Sequence, residues 1–389
     1  MKKINRKFRK AKNFKKRGNI KKAKITKSNK KFLVKFLSFI FLSLFFLYLQ
    51  IKFKNSIEIK EQKKQKKLKE QKEDLIHQIH IAISSDNKYI YPSIVFLTSL
   101  LDNRAESTYY IIHVLFNDYF SKHNINKIKT IVDNFGKNHS EVVFHNLGND
   151  FRKATITIFG ISTYYRVALP SLLPNVDRII YIDGDSLNIK DLTEMYNIKL
   201  KKDMYISAIL DRVSMIKEIK ELGIETNKYV NAGVLLMDLK TMREKSIEKK
   251  MRDFIATHYL KMCDQTLINA ICNNNIQIMP YKYAVPPLSS YEELVKYNSE
   301  QESMYKVSES ELYQAYHDPT LLHFFGPNKL WNKNCNHTYR VYWWYYAKMS
   351  GFYNEILNHF SSDMNSVEDL LKQIPSDGGL LKHNYKKLV

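Results

Sequence analysis

The stretch Ile179-Ile180-Tyr181-Ile182-Asp183-Gly184-Asp185 decides how the rest of the chain is interpreted. An apolar run this short is typical of a buried strand, and it ends at two aspartates separated by a glycine. Ligands of open α/β sheets bind just past the carboxyl ends of strands, and carboxylate oxygens there suit Mg²⁺ or Mn²⁺. The alternative is that Asp-Gly-Asp is only a turn that caps a strand.

Short apolar strands alternate with amphipathic helices on both sides of this stretch. Strands are predicted at 80–84, 109–116, 141–145, 178–182, 204–209, 233–238 and 321–325, and helices at about 90–101, 125–132, 164–169 and 242–257, with another beginning near residue 264. Such alternation predicts one α/β domain with a mainly parallel sheet covered on both faces. Residues 342–389 are aromatic and basic and are expected to be helical.

The positive charge of the chain is concentrated at its N-terminus. The 389 residues carry a formal net charge of +23, and residues 1–74 hold 26 Lys and Arg against five acids, a net of +21. The remaining 315 residues therefore carry +2, whereas a nucleic-acid-binding domain shows its basic patch within the folded part. We expect no nucleic-acid partner. A basic tail that itself binds anionic lipid or nucleic acid is a competing hypothesis.

Residues 32–51, FLVKFLSFIFLSLFFLYLQI, form an apolar run about as long as the ~20 residues that span a bilayer. A core helix rarely has Phe and Leu on every face. A cleaved signal peptide is disfavoured because the basic region before the run is more than 30 residues long. No small-residue cleavage site follows the run either. The sequence therefore predicts an uncleaved membrane anchor.

The flanks of this run predict its orientation. Residues 1–31 carry 16 Lys and Arg and no acid, whereas residues 52–74 carry nine, diluted by five acids. The positive-inside rule then predicts a single-pass type II protein with a cytosolic N-terminus and a lumenal or extracytosolic α/β domain. A cytosol-facing domain is the alternative if the source is bacterial.

Five segments follow from these patterns. They are a basic cytosolic tail at 1–31, an anchor at 32–51, a charged stem at 52–75, an α/β domain at 76–340 and a helical, basic extension at 341–389. The three cysteines have no zinc-ligand spacing and give no disulfide framework. The dinucleotide, Walker and serine-hydrolase fingerprints are absent as well.

His323 lies in the segment LLHFFGPNKLW at 321–331. A lone histidine in an apolar strand is usually a packed core residue. Here Gly326 and Lys329 follow at once, in a loop suited to approaching a phosphate. An imidazole beside two carboxylates completes a mixed N/O site of the kind that Mn²⁺ accepts.

Three further groups each have a simple alternative interpretation. Asn231-Ala232-Gly233 leaves room for a sugar against the backbone, or is a tight strand entry. Asp264-Gln265 opens a helix, where a first-turn acid needs no further role. Arg166 suits recognition of a diphosphate or carboxylate, or forms a surface salt bridge.

The order of these residues resembles glycosyltransferase family 8, over about Ile79 to Trp331. The motifs that carry the resemblance are Asp86, Arg166, Asp183-Gly184-Asp185, Asn231-Ala232-Gly233, Asp264-Gln265, His323-Phe324-Phe325-Gly326, Lys329 and Trp331. The family includes bacterial lipopolysaccharide galactosyl- and glucosyltransferases, glycogenin and plant galacturonosyltransferases. The resemblance implies a GT-A fold, a UDP-sugar donor, Mn²⁺, a glycan or glycolipid acceptor, and transfer of a hexose with retention of anomeric configuration.

The resemblance also implies roles for single residues. Asp183, Asp185 and His323 would hold the metal. Ser84 and Asp86 would contact uridine, Tyr89 would stack on uracil, Arg166 would contact the donor sugar or diphosphate, Asn231 and Ala232 would line the sugar pocket, and Gly326 and Lys329 would bind the diphosphate. Asp264 would bind sugar hydroxyls, Gln265 would lie near the anomeric carbon, and Asp211 is similar to a sugar-side acid of the family.

Two departures from the family pattern bear on the donor site. Leu330 replaces a common proline in the Lys-Pro-Trp motif, and Lys88 stands where a small amide is common. Because Gln265 is a poor nucleophile, we expect front-face substitution rather than the carboxylate nucleophile of retaining hydrolases. The competing hypothesis from another class is a catalytically inactive membrane protein that binds a sugar or nucleotide through the same fold.

Overall fold

A computed structural model describes residues 35–48, 50–54, 77–154, 160–211, 216–224, 228–300 and 307–372. The chain divides into two units, Met1–Leu75 and Ile76–Val389. The predicted tail at 1–31 lies outside the described residues, as does most of the predicted stem.

A seven-stranded sheet forms the centre of the second unit. Its strands are β1 His77–Ser84, β2 Thr108–Phe116, β3 Ser140–Asn146, β4 Arg178–Ile182, β6 Ile206–Ala208, β7 Val234–Asp238 and β8 Ile276–Ile278, and the order across the sheet is β3-β2-β1-β4-β7-β6-β8. β1 to β4 are mutually parallel, and β6 is parallel to β8, but β7 is antiparallel to both neighbours. The parallel part of the prediction is confirmed; the reversed β7 was not predicted.

A second sheet of two short strands was not predicted as a pair. β5, Ser186–Asn188, runs antiparallel to β9, Leu321–His323, with Ser186 opposite His323. Because β5 begins directly after Asp185, this pairing brings two distant parts of the chain together.

Helices and 3₁₀ turns connect the strands. The helices are α1 Ile90–Asp102, α2 Lys122–Gly136, α3 Leu169–Leu172, α4 Thr193–Tyr196, α5 Ile216–Glu221, α6 Leu239–Glu244, α7 Ile247–Ile255, α8 Cys263–Cys272, α9 Tyr291–Ser299, α10 Glu309–His317, α11 Arg340–Met349, α12 Tyr353–His359 and α13 Met364–Leu371. The helix predicted at 164–169 is mostly a 3₁₀ helix, Ile161–Ala168. The helix predicted at 242–257 is wrong as one element, because Ser246 adopts a left-handed φ of 53° between α6 and α7.

The apolar run of β4 is buried on both faces of the sheet. Ile180 and Ile182 belong to one core cluster with α1, while Ile179 and Tyr181 belong to the other. This explains why the run is continuous rather than alternating. Trp343 and Trp344 of α11 are buried in the same cluster as α1, so the C-terminal helices contribute to the core.

Three histidines form a ladder across β1, β2 and β3, which we call the histidine ladder. His80 Nδ1 lies 3.0 Å from His113 Nε2, and His113 Nδ1 lies 3.0 Å from His145 Nε2. Burial lowers the pKa of His113 to about 3, helped by the two neighbouring rings, and burial also lowers the pKa of His80 and of His145. The ladder is therefore uncharged at neutral pH.

The described part of the first unit is one helix, Lys35–Lys54, long and apolar enough to cross a membrane. Its apolar side chains are exposed, Phe39 to 70% and Phe41 to 73%.

Candidate active site

The two aspartates after β4 and the histidine of β9 converge on one point. One ligand atom from each of Asp183, Asp185 and His323 lies within 4.8 Å of the other two. His323 Nε2 is 3.3 Å from Asp185 Oδ1 and 3.8 Å from Asp183 Oδ2. Two ligands at ~2.1 Å from one ion are separated by about 3 Å when adjacent and about 4.2 Å when opposite. The observed spacing therefore fits a single divalent cation.

The second carboxylate oxygen of Asp183 and of Asp185 already has polar partners within the protein. Asp183 Oδ1 accepts hydrogen bonds from Arg166 Nη2 at 2.7 Å and from the Tyr181 hydroxyl at 2.9 Å. Asp185 Oδ2 pairs with Lys329 Nζ, which also donates to Phe324 O at 2.6 Å. Such outer contacts orient ligating groups, and they leave Asp183 Oδ2 and Asp185 Oδ1 to face His323.

Charge keeps Asp185 ionised. Burial alone would raise the pKa of Asp185, but the charge of Lys329 and the contact with His323 hold it below its ordinary value. An ionised carboxylate is the form that binds a hard cation.

Gly233 provides the space for the His323 ring. A Cβ at position 233 would overlap that ring and would lie 2.8 Å from Asp183 Oδ2. Its φ is not in the left-handed region, so space rather than backbone conformation requires a glycine here. Gly184 is similarly restricted, since its Cβ would lie 2.8 Å from Ser93 Oγ on α1.

Arg166 is buried, so its interpretation as a surface salt bridge is wrong. Its guanidinium contacts Asp183, lies 3.1 Å from Asp264 Oδ2 and packs 4.0 Å from the centre of the Tyr181 ring. Burial lowers the pKa of Arg166, but the two carboxylates outweigh this and raise it, so the group stays charged. Burial raises the pKa of Asp264, against the opposing effect of Arg166.

Gln265 is held at both ends of its carboxamide. Its Nε2 donates to Asp211 Oδ2 at 3.1 Å, and its Oε1 accepts from the Ala232 backbone N–H at 3.2 Å. Asn231 Nδ2 donates to the same Asp211 oxygen at 3.0 Å. The structure thus brings together Asp211, Asn231, Ala232 and Gln265, which lie far apart in the sequence.

Two contacts in this cluster were not predicted. The Tyr297 hydroxyl of α9 donates to Asp211 Oδ1 at 2.6 Å. Asn269 of α8 accepts from Val230 N at 2.8 Å and donates to Val230 O at 2.9 Å, which ties α8 to the segment entering β7. No sequence motif marks either residue.

The residues predicted to contact uridine lie at the end of β1 and the start of α1. Ser84 ends β1, and Asp86 Oδ1 accepts from the backbone of Lys88 at 2.9 Å and of Tyr89 at 2.8 Å. Burial and the nearby charges of Asp185, Asp183 and Asp86 raise the pKa of Tyr89, so its ring lies close to the metal-ligand candidates. The Tyr89 ring meets Trp331 edge-on, with centroids 6.3 Å apart.

Gly326 and Lys329 lie in the loop after β9. Gly326 has a φ of 79°, which favours glycine. Lys329 stands beside Asp185, so the cation predicted for a diphosphate is adjacent to the metal-ligand candidates. The three cysteines, by contrast, are buried.

The sheet order, the carboxylates past β4 and the late histidine together define a glycosyltransferase with a GT-A fold. Residues 80–335 match the pattern of Glycosyl transferase family 8. The match spans more than half of the chain, and the protein belongs to this family.

Known proteins support this assignment. An inferred glycosyltransferase of Haemophilus influenzae is 27% identical over 269 residues, which cover 67% of this chain and 74% of that protein. The galactosyltransferase LgtC, solved with donor and acceptor sugar analogues, superposes with a TM-score of 0.57 at 21% identity, covering 70% of this chain and 95% of LgtC. The bifunctional glycosyltransferase WbbM superposes with a TM-score of 0.56 at 18% identity; the match covers 76% of this chain and 51% of WbbM. At these identities the solved structures show the fold alone.

Proposed function

We propose that the protein transfers a hexose, glucose or galactose, from a UDP-sugar to a hydroxyl of a glycan or lipid-linked acceptor, with retention of configuration and with a bound divalent cation. The observation that carries the proposal is the convergence of Asp183 Oδ2, Asp185 Oδ1 and His323 Nε2. This mixed N/O set suits Mn²⁺, and Mg²⁺ is the alternative.

The cation would be held by Asp183, Asp185 and His323, and when bound it would supply Lewis-acid stabilisation of the departing diphosphate. Lys329 would add a fixed positive charge at the same place, because its ammonium already lies beside Asp185. Because Gly326 has no side chain, a phosphate could approach the backbone of that loop closely.

Other residues of the chain would hold the donor sugar next to the metal-ligand candidates. Asp264 would accept from sugar hydroxyls, and the Asn231-Ala232 backbone would line the pocket. Gln265 would face the anomeric carbon and, as a neutral amide, would act by positioning and polarity. Front-face substitution, in which the departing phosphate takes the acceptor's proton, therefore accounts best for retention. Trapping a covalent glycosyl group on Asp264 or Asp211 would contradict it.

The first testable prediction concerns the two metal-ligand aspartates. The double variant Asp183→Ala, Asp185→Ala should lose at least 100-fold in kcat, because two of three ligands and both local anionic charges are gone. The assay is UDP release from UDP-glucose and UDP-galactose, with Mn²⁺ and then with EDTA.

Asp177→Ala is the matched control for this assay. Asp177 lies just before β4 and is 73% exposed, so its loss should leave turnover unchanged. If EDTA does not reduce UDP release by the wild-type protein, the metal proposal is contradicted. Nucleotide binding without UDP release from any UDP-sugar would favour the catalytically inactive alternative.

We also propose that the helix Lys35–Lys54 anchors the protein in a membrane, with the N-terminus in the cytosol. The support is its length, its exposed apolar side chains and the excess of Lys and Arg before it. Protease digestion of sealed vesicles whose cytosolic face is outward tests the orientation: an extracytosolic catalytic domain is protected in them until detergent is added.

A further inference from the structure

The cluster around Asp211 contains a residue that no motif of the sequence assigns. Tyr297 lies towards the C-terminal end of α9 and is 5% exposed. Its hydroxyl donates to Asp211 Oδ1 at 2.6 Å, the shortest of the hydrogen bonds described for that carboxylate.

The hydrogen bonds at Asp211 fix the orientation of the Gln265 carboxamide. An ionised carboxylate only accepts, and a backbone N–H only donates. The nitrogen of Gln265 must therefore face Asp211 and the oxygen must face Ala232, as the distances of 3.1 Å and 3.2 Å show. Rotation of the Asp211 carboxylate would remove one of the two contacts that hold the amide.

The orientation matters because of where the amide oxygen is held. Ala232 precedes Gly233, whose carbonyl accepts from Asp183 N at 2.7 Å and whose missing side chain admits the His323 ring. The oxygen of Gln265 is thereby directed at the backbone that adjoins the metal-ligand candidates.

We propose that Tyr297 is a positioning residue that holds Asp211 in the rotamer that orients Gln265 for transfer. The proposal rests on the proposed function. Tyr297 acts through Asp211, which is not one of the three metal-ligand candidates. Its loss should therefore affect the transfer step more than donor binding.

The test is the variant Tyr297→Phe in the full-length protein, which removes one hydroxyl oxygen. We expect kcat for UDP release to fall about tenfold or more, since small misplacements of a reacting group have effects of this size. The KM for the UDP-sugar should stay within about twofold, because Gly326 and Lys329 are unchanged. The thermal midpoint should fall by about a few degrees at most, since a single hydrogen bond is lost.

Tyr291→Phe is the matched control, because it is the same substitution on the same helix. The Tyr291 hydroxyl lies 3.4 Å from Glu309 O, away from Asp211, and its loss should leave kcat unchanged. Equal kcat in the two variants would overturn the proposal. So would a fall in kcat accompanied by a several-fold rise in KM and a large fall in the thermal midpoint of Tyr297→Phe, which would indicate a merely structural role.

A crystal structure of Tyr297→Phe gives a readout that does not depend on turnover. We expect the Gln265 amide to leave Ala232 N; an amide that stays in place would overturn the proposal. If wild-type protein turns over no UDP-sugar, the proposed function fails, while the position of Gln265 in the variant still decides the inference.

Discussion

Single residues in this protein show what a motif can and cannot reveal. Asp183, Asp185 and His323 were predicted as metal ligands from their residue types, and the structure brings them together. The role of Gly233 was not predictable in this form, because the ring that it makes room for lies 90 residues later in the chain. The sequence placed Tyr181 only in a buried apolar strand, whereas in the structure its hydroxyl also donates a hydrogen bond to Asp183.

Gly233→Ala should weaken cation binding without unfolding the protein. The added Cβ overlaps the His323 ring, which must turn away from the two aspartates. We expect Mn²⁺ affinity to fall about 10- to 100-fold, the range seen when groups that orient metal ligands are changed. Calorimetric titration of Mn²⁺ measures this.

Gly351→Ala is the control for the cost of replacing a glycine. Nothing lies within 4 Å of its Cβ position, but its φ of 82° makes the change unfavourable by about 1 kcal/mol. This variant should lose some stability and keep wild-type Mn²⁺ affinity. Unaltered Mn²⁺ affinity in Gly233→Ala would mean that His323 does not ligate the ion.

Secondary-structure elements were predictable in proportion to their length and burial. β4 was predicted at its observed bounds, Arg178–Ile182. A short apolar run bounded by polar residues is typical of a buried strand, and the polar residues mark its ends. The three-residue strands β6 and β9 were predicted because longer apolar runs contain them. β5 (SLN) and β8 (IQI) have the same length but include polar residues and show no such run. Their pairing depends on contacts between residues that are distant in the chain, and a single sequence does not reveal such contacts.

The histidine ladder makes the stability of the sheet depend on pH. The pKa of His113 is about 3 in the folded protein and ~6.5 in the unfolded chain, so below pH 6.5 the unfolded chain binds more protons. The contribution of His113 to the free energy of unfolding should therefore be constant above pH 7 and decrease as the pH falls towards 3. At pH 5 the loss from His113 is about 2 kcal/mol. Urea denaturation at pH 7.5 and 5.0 measures it.

His113→Gln should reduce this difference between the two pH values, since glutamine does not titrate. His123→Gln, a change at an exposed position of α2, should keep the full difference. A wild-type pH dependence in His113→Gln would show that the ladder is not its source.

At the scale of the whole molecule, charge and hydropathy predict that residues 1–75 are separate from the α/β domain. The observed division falls between Leu75 and Ile76. Deleting residues 1–75 should release the enzyme from membranes with kcat within about twofold of wild type, because every candidate site residue lies in the second unit. Carbonate extraction and UDP release measure the two properties.

Deleting residues 1–31 provides the comparison, since it keeps the apolar helix and should leave the protein membrane-bound. A chain from residue 76 onward that stays with the membrane would locate the attachment elsewhere. Donor sugar and acceptor were not predictable at this scale, because glucose and galactose differ at a single hydroxyl.

The pairing of β5 with β9 has a consequence for biosynthesis. During translation, Asp183 and Asp185 leave the ribosome well before His323, and β5 has no partner until β9 has been made. A nascent or truncated chain that ends before residue 321 therefore carries the two aspartates but lacks the third metal-ligand candidate. Under the proposed metal assignment, tight binding of the cation would thus report that a newly made chain has folded as far as β9.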